Sequence, residues 1–240
     1  MPIRRFRRKP RRKRSNRYAP RPVRLLVKKQ PQSSQSRILN FKRTFVNDMT
    51  LNTAAPPAGW TSLSSSGDEA LTLAYVLSLS QLPNYTNFTS LFDSYRIKGV
   101  RIQGWYSATV STNTSSSQAL LYTCRDNIGQ TIATSMTEEY FLSRPRSKKR
   151  VLMNSMGKPS FDMFVPLSNL STIYSGVVQS DYAMAKPRFI STNEPATPYY
   201  GLNLRLQRID GNNWTHGTAN QYPTLKLYTT VYFQMRGINS

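Results

Sequence analysis

Residues 224–236 read TLKLYTTVYFQMR. Leu225, Leu227, Thr229, Val231, Phe233 and Met235 fall on one side of a period of two. Lys226, Tyr228, Thr230, Tyr232, Gln234 and Arg236 fall on the other. Side chains of a strand point alternately to opposite faces, so this stretch predicts a long strand with one buried side. A helix would scatter the same residues around its circumference.

The same period recurs upstream. In YYGLNLRLQR, residues 199–208, Leu202, Leu204 and Leu206 point one way and Asn203, Arg205 and Gln207 the other. Leu71, Leu73, Tyr75, Leu77 and Leu79 share a face, and so do Phe45, Met49 and Leu51 in a strand expected over 43–51. YRIKGVRIQGWYSA, residues 95–108, reads as a long strand whose phase slips around Gly99, where Ile97 gives way to Val100 and Ile102; a bulge is expected there. Shorter strands are expected over 119–124, 150–154, 161–165 and 187–191. Helical pattern is confined to about two turns at 85–92 and at 136–142. Turn-rich connections separate these segments, and no fixed-period repeat points to a propeller or solenoid. The pattern predicts an all-β sandwich, immunoglobulin-like or jelly roll.

Charge divides the chain differently. The net charge is +22, yet the first 43 residues carry 17 Lys and Arg and no acid, leaving 16 Lys and Arg against 11 acids in the rest. Residues 1–36 are expected to form a basic N-terminal arm, disordered or conditionally ordered, because Arg, Lys, Pro, Gln and Ser bury too little apolar surface to offset the entropy of ordering. Its one apolar island lies at 23–27, and QPQSSQS at 30–36 is the linker to a β-patterned body at 37–240. The arm offers Arg4, Arg5, Arg7, Arg8, Lys9, Arg11, Arg12, Lys13, Arg14, Arg17, Arg21, Arg24, Lys28 and Lys29 to a polyanion. Guanidinium groups pair bidentately with phosphate, so a nucleic acid is the expected partner, bound without sequence preference and with strong salt dependence. RRKPRRKR within it also reads as a nuclear localisation signal. Five prolines break any amphipathic helix in the arm, and no apolar run approaches bilayer length, so no membrane insertion is expected. A second compact cluster, Arg146, Lys148, Lys149 and Arg150, would add a nucleic-acid contact if its loop faces the arm's side.

Catalytic chemistry is poorly provided for. His216 is the only histidine and Cys124 the only cysteine, which excludes histidine-based metal clusters and an intrachain disulfide. Cys124 sits in the strand-like run ALLYTCRD and reads as a buried structural thiol; His216 sits in a Gly/Asn-rich loop. The acid pairs Asp68–Glu69 and Glu138–Glu139 stand at expected element starts, where capping or a solvated face accounts for them. No phosphate-cradling glycine loop occurs. No enzyme activity, cofactor or metal is expected.

Residues 82–106, LPNYTNFTSLFDSYRIKGVRIQGWY, resemble the capsid proteins of circular Rep-encoding single-stranded DNA viruses, the circovirus and cyclovirus relatives. In those proteins a short aromatic-containing helix leads through an "LFD-YRI" core into a long strand, matched here by Leu91, Phe92, Asp93, Tyr95, Arg96 and Ile97. The arginine-rich N-terminus and the closing LYTTVYFQMRG, residues 228–237, complete the likeness. The resemblance implies a single eight-stranded jelly roll, sixty copies in an icosahedral shell, arms inside and long loops outside. It implies packaging of single-stranded circular DNA in a virion, with assembly in the host nucleus through an import receptor and entry through a cell-surface attachment factor. Coats of small RNA viruses and satellites share the layout, and a non-viral basic nucleic-acid-binding β protein is the reading from another class. A sugar-binding jelly roll would leave the arm without a use.

Overall fold

In the computed structural model the described residues are 37–65, 68–108, 118–125, 136–144, 146–175, 178–185, 187–211, 214 and 222–238. The chain runs β1 (Leu39–Thr50), β2 (Thr61–Ser65), β3 (Asp68–Leu77), a 3-10 turn (Leu79–Gln81), α1 (Tyr85–Thr89), β4 (Phe92–Ser107) and β5 (Ala119–Cys124). It continues through α2 (Glu138–Ser143), β6 (Lys148–Leu152), β7 (Phe161–Pro166), β8 (Asn169–Ser175), β9 (Val178–Ala185), β10 (Ile190–Ser191), β11 (Tyr199–Arg208) and β12 (Thr224–Ile238).

β12 sits where its alternation requires. All six residues of its apolar phase are buried, and it pairs antiparallel with β1 on one side and β4 on the other. Burying its Leu225, Leu227, Val231, Phe233 and Met235 is worth on the order of 10 kcal/mol. A one-residue slip would turn them all outward, so the register is fixed by an amount comparable to a domain's whole stability. The first sheet is ordered β1-β12-β4, with β7 and β10 in tandem along the far edge of β4; the second is ordered β2-β3-β11-β5-β6.

Leaving aside β2, β8, β9 and β10, eight strands remain. Counted along the chain, they lie first-eighth-third-sixth in one sheet and second-seventh-fourth-fifth in the other. That interleaving of two Greek keys is a jelly roll. The chain is thus all-β with an eight-stranded jelly roll, and the four further strands enlarge it. β2 extends the second sheet, β8 and β9 form a separate hairpin, and β10 makes a two-residue contact with β4.

The expected slip at Gly99 is present: Tyr232 faces Gly99 but Phe233 faces Ile97, so Lys98 is the extra residue of a bulge. Four rings, Phe41, Phe88, Phe92 and Phe233, meet at centroid distances of 5.2 to 5.7 Å and lock α1 against the first sheet.

Several boundaries move. The expected strand 43–51 begins four residues earlier at Leu39, 150–154 becomes Lys148–Leu152, and 187–191 shrinks to Ile190–Ser191. The largest correction concerns β11. Asn203, Arg205 and Gln207 do not face solvent; they are buried with the leucines between them. α2 and the residue leading into it cover that side, packing Met136 and Phe141 on Tyr122 and Cys124 as a second, smaller core. Thr137 caps α2, its hydroxyl accepting the Tyr140 N–H at 3.3 Å, and Glu138 and Glu139 occupy the first turn where the helix dipole favours acids.

Candidate nucleic-acid interface

The side of the first sheet turned away from the core combines cations with aromatic rings. From β1 it takes Lys42, and from β12 Lys226, Tyr228, Tyr232 and Arg236; β4 adds Arg96, Lys98, Arg101 and Trp105, and β7 adds Phe164. Trp105 and Tyr228 meet edge to face at 6.5 Å, and Phe164 and Tyr232 at 5.9 Å. The second pair spans Gly99, which faces Tyr232 on one side and Pro166 on the other. A Cβ at Gly99 would lie 2.8 Å from the Phe164 ring and 2.6 Å from the Val165 carbonyl, so the close strand approach there needs glycine.

Among the described residues, Asp48 and Asp162 stand on this face, and each is already held. Asp48 lies 3.0 Å from Lys226. Asp162 accepts Arg101 Nε–H at 2.9 Å and Nη2–H at 2.5 Å, with Gln103 donating at 3.2 Å. The Arg101 fork holds the Asp162 carboxyl below its ordinary range. Among the described residues, Lys42, Lys98 and Arg236 have no carboxylate in ion-pair distance. Arg96 and Arg236 each place a guanidinium 4.7 Å from the centre of the Phe189 ring, concentrating two cations on one aromatic surface. Arg96 Nε–H donates to Gln234 at 2.6 Å, and the Gln234 amide donates to Asn40 at 2.7 Å. This relay ends beside Leu39, where the N-terminal segment joins the sheet.

The arm cations, Arg4 through Lys29, lie outside the described residues, as does His216. The second basic cluster is described, and strand alternation divides it. Lys149 points away from the core, 3.0 Å from Glu138 and over the Tyr122 ring at 5.1 Å. Hydrogen bonding to Tyr122 and Glu138 raises its pKa. Lys148 and Arg150 turn the other way and, with Arg146, border a cavity between the sheets. Arg146 holds φ at 59°, in the left-handed region, within a turn in which the Ser147 N–H reaches the Arg144 carbonyl at 3.3 Å. That conformation costs a non-glycine residue about 1 kcal/mol. Cys124 is buried in β5, and among the described residues no group of His, Cys, Asp and Glu converges as a metal site.

The sheet face went unread in the sequence because its residues come from four strands far apart in the chain. The one local signal was Tyr228, Tyr232 and Arg236 alternating on the polar side of β12.

An eight-stranded jelly roll is an architecture from which small viral shells, among other proteins, are built. The chain is a member of the circovirus capsid protein family, whose model matches residues 4–239. Among solved structures, the 60-mer BFDV capsid protein is similar at 16% identity and a TM-score of 0.54, covering 86% of this chain and 97% of that one. The decameric BFDV capsid protein gives 16% identity and a TM-score of 0.46, covering 83% and 99%. A mud crab tombus-like virus structure gives 16% and 0.35, covering 87% and 96%. No curated protein sequence matches the chain.

Proposed function

We propose that this capsid protein self-assembles into a small icosahedral shell of sixty copies and packages single-stranded circular DNA through its N-terminal arm. The observation that carries this is the separation of charge: 17 cations without one acid in the first 43 residues, ahead of a jelly roll of the circovirus capsid family. A binding module acting alone spreads its cations over its folded surface, whereas a tethered arm follows a flexible polymer. Sixty arms supply on the order of a thousand positive charges, enough to neutralise a strand of similar length in nucleotides. The likeness to a capsid protein crystallised as a 60-mer supports the copy number. The cations and rings on the first sheet, Arg96 and Arg236 among them, offer a second surface for the same strand. Single-strand binders use such faces for phosphate contact and base stacking.

The role is structural, without catalysis. The arm serves a second time as a nuclear import address before assembly, and the virion surface meets a cell-surface attachment factor. Electron microscopy of purified protein tests the reading: uniform virus-sized particles are expected, and monomers or dimers alone would end it. Nuclease sensitivity of the co-purified polymer separates DNA from the RNA alternative.

A further inference from the structure

Where the two sheets end at β6 and β7, no ladder closes the sandwich among the described residues: β6 pairs with β5, and β7 with β4. The gap is a half-open cavity of about 430 Å³, within the range of small-molecule sites. Arg125, Arg146, Lys148 and Arg150 border it, and Met163, Val165 and Leu202 supply apolar wall. No carboxylate forms an ion pair with Arg125, Arg146 or Lys148 among the described residues. Asp162, the acid that Arg150 influences, is already forked by Arg101.

Inward-pointing charges on an edge strand also protect it from pairing with another chain. That explanation covers Lys148 and Arg150 but not Arg125 or Arg146, which lie off the strand. Nor does it explain why an arginine occupies the left-handed φ of 59° that glycine would take without strain.

We propose that this cavity is a nucleotide site. Its cations hold one phosphate of a single-stranded nucleic acid, and its apolar wall receives the sugar and base of the same residue. Arginine forks match phosphate oxygens, and four cations bordering one cavity exceed what a single carboxylate needs. An acidic peptide would satisfy the cations and make little use of the cavity's apolar side, where Met163 and Leu202 already pack on the core. The proposal deepens the packaging reading and rests on it for the source of the ligand.

Calorimetric titration of the full chain, stripped of nucleic acid, with thymidine 5′-monophosphate tests it. Saturable binding is expected, weakened about tenfold or more by Arg146→Gly and by the double change Arg125→Ala, Lys148→Ala. Arg146→Gly relieves the strained backbone, so its melting temperature should hold or rise while binding falls. A purely structural arginine would not part the two readouts. Lys149→Ala, on the other side of β6, should bind as the parent does. Thymidine and inorganic phosphate should each bind more weakly than the monophosphate. Equal affinity across parent and cavity variants overturns the site, equal affinity for inorganic phosphate overturns the role of the apolar wall, and equally good displacement by tetraglutamate overturns the nucleotide in favour of an acidic peptide. Packaging is read separately, as nucleic acid retained by particles. Its loss in arm variants whose monophosphate binding is intact supports the cavity as an independent site, cavity variants that keep both readouts unchanged overturn the cavity alone, and arm variants that keep packaging overturn the packaging reading.

Discussion

Arg205 Nη1–H donates to the Met136 carbonyl at 2.9 Å from a side chain with no exposed surface. Its Nη2 reaches the Gln207 amide oxygen at 3.3 Å. The guanidinium therefore ties the central strand of the second sheet to the segment that roofs it. Arg205→Ala should destabilise the fold by about 3 kcal/mol, because it leaves buried acceptors without their donor and opens a void. Arg205→Met, which fills more of the volume, should cost less. Urea denaturation of both variants checks the order; an alanine variant as stable as the parent would show that the roof does not depend on this contact.

That contact also marks where alternation stops being informative. Leu202, Leu204 and Leu206 announce a strand, and the strand is there. But period two reports which residues share a face, not what covers the other face. The roof comes from Met136 and Phe141, more than sixty residues upstream, and no local pattern links them to Arg205. Alternation divides the second basic cluster for a related reason. Its position in sequence was plain, but β6 begins at Lys148, two residues before the expected strand, so alternation separates Lys149 from Arg150. β2 and the β8–β9 hairpin were missed because TSLSS, NLSTIYS and VQSDYAMA mix small and polar residues with few apolar ones in phase.

Gly104 faces Phe161 across the β4–β7 ladder, and the Phe161 ring fills the space that a Gly104 side chain would need. Gly104→Ala should therefore cost about 1–3 kcal/mol through overpacking. Combining it with Phe161→Leu should be less damaging than the sum of the two single changes, since the ring is what the methyl meets. A double-mutant cycle in denaturant measures this, and strict additivity would mean the strands separate instead.

The Arg101–Asp162 pair sets a pH dependence. Arg101 hydrogen bonding lowers the folded-state pKa of Asp162 below its unfolded value. A depressed carboxyl stabilises the fold above the unfolded pKa and loses that contribution as pH falls through the folded one. Asp162→Asn should therefore trail the parent in stability near neutral pH, and the gap should close as pH drops below about 4. Both side chains are partly exposed, at 47% and 35%, so the gap should be modest and shrink further in high salt. Paired urea curves along a pH series give the answer; a gap that widens in acid would reverse the assignment.

The arm and the sheet face should separate in a salt titration of oligothymidylate binding. Arm cations act by releasing counterions, so replacing Arg4, Arg5, Arg7 and Arg8 with alanine should lower the slope of log affinity against log salt by about 3. Trp105 and Tyr228 carry no charge and meet edge to face at 6.5 Å on the open side of the first sheet. Replacing either with alanine should leave that slope alone and lower affinity at every salt concentration, by about 1–3 kcal/mol for each base that loses its stacking partner. Phe164→Ala, on the same face and 59% exposed, should behave like them without unsettling the core. If the aromatic variants instead changed the slope, their effect would come from displaced cations such as Lys226 or Lys42. If they changed neither slope nor affinity, the arm would bind the strand without help from the sheet.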